Sequence, residues 1–260
     1  LTIIMSNSKE KVLFWLEDHS VHFGIAKYFD EQYDCDLYAI ISANIKAKKF
    51  YKEQKIIDFK KSWYYRDFVN LNDEKIDIDY LKSIESKYNI SIWKIVYGER
   101  FFHNYARYHV FTNKEILSII CQEVKLYEQI LDEINPDFVI LRIPEFQDID
   151  LFYQLCRGRG IKTLLLDSTR FGFRSIISED TDLPISLKNP SPQSSPELKT
   201  FEELRKHITS YSKDHSKVVK KRRGSTRKKF LATLKFFFTF GYSDTSFYQN
   251  IGKSKLKVFF

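Results

Sequence analysis

The chain has 260 residues, 43% of them hydrophobic and 29% charged, with a formal net charge of +8. That balance excludes wholesale disorder and leaves room for one large domain with an extension. Three dispersed cysteines, Cys35, Cys121 and Cys156, form no CxxC pair, which excludes a zinc knuckle and a disulfide framework and points to a reducing compartment.

No stretch approaches the roughly 18–20 unbroken apolar residues of a membrane span, and the start lacks the basic-then-apolar layout of a signal peptide. A cytoplasmic location is therefore expected. Met5 is the one methionine, so Leu1–Ile4 reads as an upstream-translated scrap and residues 1–10 as a disordered N-terminus. Aromatic content is 16%, which fits either codon bias or an aromatic-lined functional surface. The charge is uneven: Lys199 to Lys235 holds 13 Lys/Arg against three acids, so the basicity belongs to one segment.

In chain order, the apolar run Lys11–Leu16 ends in Glu17-Asp18-His19-Ser20 and predicts a buried strand opening into a polar loop. Val21 to Glu31 follows with helical spacing and Ser20 as a candidate N-cap. Asp36–Ser42 predicts a second strand and Asn44–Gln54 a second helix, giving a βαβ unit with parallel strands. Lys55–Phe59 is a weaker third strand, and Asp77–Tyr88 and Ser91–Phe102 read as a helical insertion. Thr112 to Ile134 has the clearest helical period, opened by a Thr112/Glu115 capping box and closed by Asn135-Pro136. Phe138–Ile143 then predicts a buried strand, Asp148–Arg157 a helix, and Ile161–Leu166 another strand after the Gly158/Gly160 turn. Ser175–Ser178 fits a short edge strand.

The rhythm predicts a Rossmann-like doubly wound parallel sheet over residues 11–188. A Pro/Ser linker follows at 189–196, then a basic, aromatic-rich helical extension at 197–260. If the strands at Val12 and Phe138 are neighbours, the crevice at their carboxyl ends is lined by Glu17, Asp18, His19 and Ser20 on one side and Arg142 and Glu145 on the other, with Asp167 and Arg170 nearby. Asp18 and His19 form a candidate base with its orienting carboxylate, or simply cap the next helix. Arg142 interrupts an apolar strand and requires either an anionic ligand or a partner such as Glu17 or Glu145. Glu99, Arg100, His103, Arg107 and His109, set among aromatics, suit either a sugar site or a partly buried helix. The first turn has only Gly24 in place of GxGxxG, and no GxxxxGK[ST] occurs, which argues against dinucleotide and P-loop binding.

The strand–EDH–helix order, the segments IWKIVYGERFF (Ile92–Phe102) and LDEINPDFVIL (Leu131–Leu141), and GIKTLLLDSTRFG (Gly160–Gly172) together resemble the N-terminal portion of capsule or surface polysaccharide biosynthesis proteins. These are similar to two-lobed (GT-B) glycosyltransferases, and the likeness runs from Lys11 to Ser178. The resemblance implies metal-independent transfer from a nucleotide-sugar donor, with a glycan or lipid-linked acceptor on this lobe and the donor on a second lobe. No cofactor is expected here. After the linker no further strand–helix alternation appears, so the donor lobe is expected to be absent or truncated.

Lys220, Lys221, Arg222, Arg223, Arg227, Lys228 and Lys229 precede a cluster of phenylalanines. Such a run suits the inner face of an anionic membrane, nucleic-acid phosphates, or a solvated helix packed on a missing half. The alternative to sugar transfer is thus a non-catalytic α/β binding protein that engages membrane or nucleic acid through this tail.

Overall fold

The computed structural model describes residues 9–18, 20–43, 45–69, 76–103, 110–168 and 175–181, and beyond them 200–203, 205–206, 209, 226–228, 230–231 and 234. Its strands are β1 (Glu10–Leu16), β2 (Cys35–Ile41), β3 (Lys61–Tyr64), β4 (Phe138–Arg142), β5 (Lys162–Ser168) and β6 (Ser175–Ser178). The helices are α1 (Ser20–Gln32), α2 (Ile45–Glu53), α3 (Ile78–Tyr88), α4 (Ile92–Gly98), α5 (Arg100–His103), α6 (Asn113–Ile134) and α7 (Gln147–Gly158). Strand order is β3-β2-β1-β4-β5-β6, with β3, β2, β1 and β4 mutually parallel and β6 antiparallel to β5. This is a doubly wound, mostly parallel sheet of the Rossmann-like type. The chain divides into two units between Leu164 and Leu165: the first carries β1–β4 and α1–α7, the second the end of β5 and β6.

β1 is the centre of the first unit because both of its faces are apolar. Val12, Phe14 and Leu16 pack with Phe23 and Ala26 of α1 and Tyr51 of α2. On the opposite face the Trp15 ring lies 6.0 Å from Tyr127 of α6 and 5.5 Å from Phe152 of α7. Each such side chain contributes ~1.5–3 kcal/mol by leaving water. Burial on both faces explains the unbroken apolar run that marks β1 in the sequence.

The helix ends follow their sequence signals. Thr112 and Glu115 form the reciprocal capping box, and α6 ends with Asn135 in the left-handed region at φ 47°. Asp137 then ties the start of β4 to β1, accepting from the Lys11 N–H at 2.9 Å. α7 closes through Gly160, whose φ of +70° favours glycine.

Two elements differ from the sequence pattern, for identifiable reasons. Lys55–Phe59 is not a strand: the Gln54 carboxamide oxygen accepts from the N–H groups of Ile56 and Ile57 at 2.8 and 3.0 Å, which shapes a turn. The third strand begins later, where Lys61 meets Tyr38. Ser91–Phe102 is not one helix but two, α4 and α5, broken at Glu99, whose backbone is extended. The break lets the Glu99 side chain turn inward, where it is 4% exposed.

Close packing at the end of α7 yields a direct test. A Cβ on Gly158 would lie 2.7 Å from Tyr88 Cβ and 2.9 Å from the Tyr88 carbonyl oxygen, backbone that cannot easily yield. Gly158→Ala is expected to cost ~1–3 kcal/mol and lower the melting temperature by about 3–10 °C in calorimetry. An unchanged melt would contradict the packing of α3 against α7.

Candidate functional site

Because β1 and β4 are parallel neighbours, Leu16 and Arg142 end on the same edge of the sheet, at the point where strand order reverses. Open α/β sheets bind ligands at that position. Here Arg142 Nε lies 3.2 Å from Glu17 Oε1, and Arg142 Nη2 lies 3.3 Å from Glu145 Oε2. The guanidinium stands 5.4 Å over the Phe146 ring, and Arg100 covers that ring from the same distance. Arg100 Nη2 also donates to the Glu145 carbonyl oxygen at 3.4 Å. One cluster therefore joins Glu17, Arg142, Glu145, Phe146 and Arg100.

The first turn of α7 supplies the chemistry beside this cluster. Its N-cap, Phe146, has no side chain able to accept a hydrogen bond, so the Gln147 N–H is satisfied by Glu99 Oε2 from a distant segment. The Gln147 side chain in turn donates through Nε2 to Glu123 Oε1 at 2.8 Å, and the Tyr65 hydroxyl donates to the same oxygen. Glu123 is fully buried, and its Oε2 has no hydrogen-bond partner among the described residues. Burial, with the charges of Asp148 and Glu99, outweighs the Tyr65 and Gln147 bonds and pushes its carboxyl up to about 8. Glu123 is therefore a neutral acid at pH 7.

On the same helix Glu128 takes the opposite state. Burial works against its charge, but Lys87 at 2.8 Å and the Tyr80 hydroxyl at 2.7 Å, joined by Tyr88, hold its carboxyl down to about 2. Asp148, in the first turn of α7, lies between these extremes. Burial first, then the charges of Glu17 and Glu99, raise it to about 6 against the opposing effects of the Ile149 N–H and Arg142. A carboxyl titrating near neutrality thus faces the charges at the ends of β1 and β4.

A cleft of about 410 Å³ adjoins the cluster, where the α3–α4 turn faces the β4–α7 connection. Asn89, Ser91, Lys94 and Gln154 line it together with Glu145 and Phe146, which belong to the Arg142 cluster as well. Its walls mix one aromatic ring with hydrogen-bonding and charged groups of both signs.

Of the residues singled out in the sequence, Glu17, Arg142, Glu145 and Arg100 are brought together. Asp18 is exposed in the bend after β1, Ser20 is the exposed first residue of α1, and His19 lies outside the described residues. His103 is engaged elsewhere, with Nε2 3.2 Å from the Val96 carbonyl oxygen and its ring stacked on Tyr97. Asp167 belongs to β5 in the second unit, paired with Ile176, and Arg170 is outside the described residues. Arg227 and Lys228 are exposed and helical, whereas Lys220, Lys221, Arg222, Arg223 and Lys229 lie outside the described residues, as does the 189–196 linker. Among the described residues no group of three or more His, Cys, Asp or Glu could hold a metal ion, and no helix is long and apolar enough to cross a membrane.

Sequence reasoning missed Glu123, Gln147 and Asp148. Glu123 did leave a trace: it falls between Ile119, Ile120 and Tyr127 on the apolar face of α6, where an acid must be paired or protonated. Glu99 was noticed for its setting among aromatics, but its bond to a helix start 48 residues away could not be read from the sequence.

The raised Glu123 carboxyl has a consequence for stability. Between pH 4.5 and about 8 the folded state keeps a proton that the unfolded state has lost, so stability falls as pH rises through that window and levels off above it. Asp148 adds the same sign of slope between 3.8 and about 6. Glu123→Gln removes the larger contribution while keeping a side-chain oxygen that can accept from Gln147 Nε2. Thermal melts across this range are expected to show the variant gaining on the wild type with pH and exceeding it by a few degrees at pH 8; parallel curves would contradict a neutral Glu123.

No protein-family model matches the chain, and no curated protein matches it in sequence. The Rossmann-like α/β architecture, with a charged cluster at the ends of β1 and β4, is accordingly what the molecule itself establishes.

Proposed function

We propose that this chain is the acceptor-side lobe of a sugar-transferring enzyme, with a hydroxyl-bearing acceptor bound at the carboxyl ends of β1 and β4 and Asp148 removing the proton from the attacking hydroxyl. The observation that carries this reading is the Asp148 carboxyl, raised to about 6 at the strand-order reversal. A general base works best when its pKa lies near the working pH, because it is then both ionised and strong enough to accept the proton. The neighbouring cleft, lined by the amides of Asn89 and Gln154 with Ser91 and Lys94, offers hydrogen-bonding groups of the kind a sugar ring uses.

The resemblance over Lys11 to Ser178 supports the same reading and adds the donor, a nucleotide-activated sugar held outside this unit. In that scheme Arg142 orients acidic groups rather than gripping the donor, since Glu17 and Glu145 already neutralise it. That same pairing favours a second reading, a non-catalytic module that binds its ligand at this edge without turnover.

Asp148→Asn, placed in a protein that joins this lobe to its donor lobe and assayed for transfer from a panel of nucleotide-sugars, is expected to lower turnover by about 10²–10⁴-fold with acceptor binding preserved. The wild-type rate should rise with pH through an inflection near the Asp148 value of about 6. Asp18→Asn and His19→Ala in the same assay distinguish the loop after β1 from α7 as the source of the base. Full turnover in Asp148→Asn would remove it from the chemistry, and binding without turnover in the wild type would favour the module.

A further inference from the structure

The segment 45–68, comprising α2, the loop after it, β3 and the 3-10 turn Tyr65–Asp67, holds eight Lys/Arg against three acids. Elsewhere in residues 1–198 the acids outnumber the bases, 27 to 18. The β3 side of the sheet therefore carries a basic island, distinct in sequence from the basic run near residue 220 and set apart by β2 from the β1/β4 edge.

Interspersed with these cations are exposed apolar side chains. Phe50 is 46% exposed, Ile56 46% and Phe68 44%. Lys49, Lys52 and Lys55 are exposed beside them; Lys49 is loosely paired with Glu53 at 3.8 Å, and Lys52 stands over the Tyr64 ring. The ammonium groups of Lys48 and Lys52 stand 5.1 and 5.2 Å from the centroid of one ring, Tyr64, and Lys48 also pairs with the Asp67 carboxylate.

Lysines commonly guard an edge strand against pairing with another chain, and Lys60 and Lys61 sit where that role is needed. Lys49, Lys52 and Lys55 lie on a helix and a loop, where no strand edge requires it. Nucleic-acid phosphates would be served by the lysines but give no use to an exposed Ile56 and Phe50. A lipid surface uses both, since apolar side chains enter the interface while lysines meet anionic headgroups.

We infer that the outer face of α2 with the loop into β3, built from Lys49, Phe50, Lys52, Lys55 and Ile56 and flanked by Phe68, docks the protein on an anionic phospholipid surface. The inference is independent of the sugar-transfer reading, as it uses none of the residues at the β1/β4 edge.

Cosedimentation of the full chain with phosphatidylcholine vesicles, with and without phosphatidylglycerol, tests it while the basic run near residue 220 stays intact in every variant. Lys49→Gln/Lys52→Gln/Lys55→Gln is expected to weaken binding to the anionic vesicles at least about tenfold, since each lysine near such a surface contributes appreciably. The matching triple Arg variant should bind like the wild type, and Phe50→Ser should bind several-fold more weakly to vesicles with duplex DNA binding unchanged. Wild-type binding by the Gln variant would overturn the inference by assigning attachment to the basic run. An equal loss in the Arg variant, or a Phe50→Ser protein with undiminished vesicle binding, would overturn it too, the first by showing damage and the second a polyanion site.

Discussion

The arrangement at the carboxyl edge of the sheet depends on how α7 begins. A helix leaves its first N–H groups without internal partners, and Phe146 cannot satisfy any of them. Glu99 reaches in to accept the Gln147 N–H, while the Gln147 side chain is held by a fully buried Glu123. Three segments distant in sequence, the α4–α5 break, the middle of α6 and the start of α7, are thereby joined through two carboxyl groups. Asp148 and Glu145 flank that junction directly, so their positions beside Arg142 are set by it.

Placing several acids together raises a question of charge. Glu17, Glu99, Glu123, Asp148 and Glu145 would repel one another if all were ionised and poorly solvated. Arg142 offsets part of this by pairing with two of them, and Glu123 avoids it by holding its proton. Asp148 is left between these solutions: burial first, then the charges of Glu17 and Glu99, raise its carboxyl to about 6.

Much of the fold was legible in the sequence because it rests on local signals. The apolar run at β1, the Thr112/Glu115 box, and the Asn135-Pro136 stop each act within one turn or strand, and each is realised as written. The adjacency of β1 and β4 followed from the strand–helix alternation, so Glu17, Arg142 and Glu145 could be placed at one edge. The break at Glu99 was not legible, because the helical pattern around Ile92, Ile95 and Val96 continues through it and only a tertiary bond to Gln147 explains the interruption. Arg100 was noticed for its setting among aromatics, yet its contact with Glu145 and Phe146 needed the three-dimensional crossing of α5 and the β4–α7 connection.

Amide hydrogen exchange across Gln147, Asp148 and Ile149, in the wild type and in Glu99→Ala, tests the central claim most directly. The account predicts slow exchange at Gln147 in the wild type and acceleration of about tenfold or more in the variant, confined to the first turn of α7 with the amides of α6 unchanged. Rapid exchange at Gln147 in the wild type, or no response to loss of the Glu99 carboxyl, would contradict the view that this bond organises the edge.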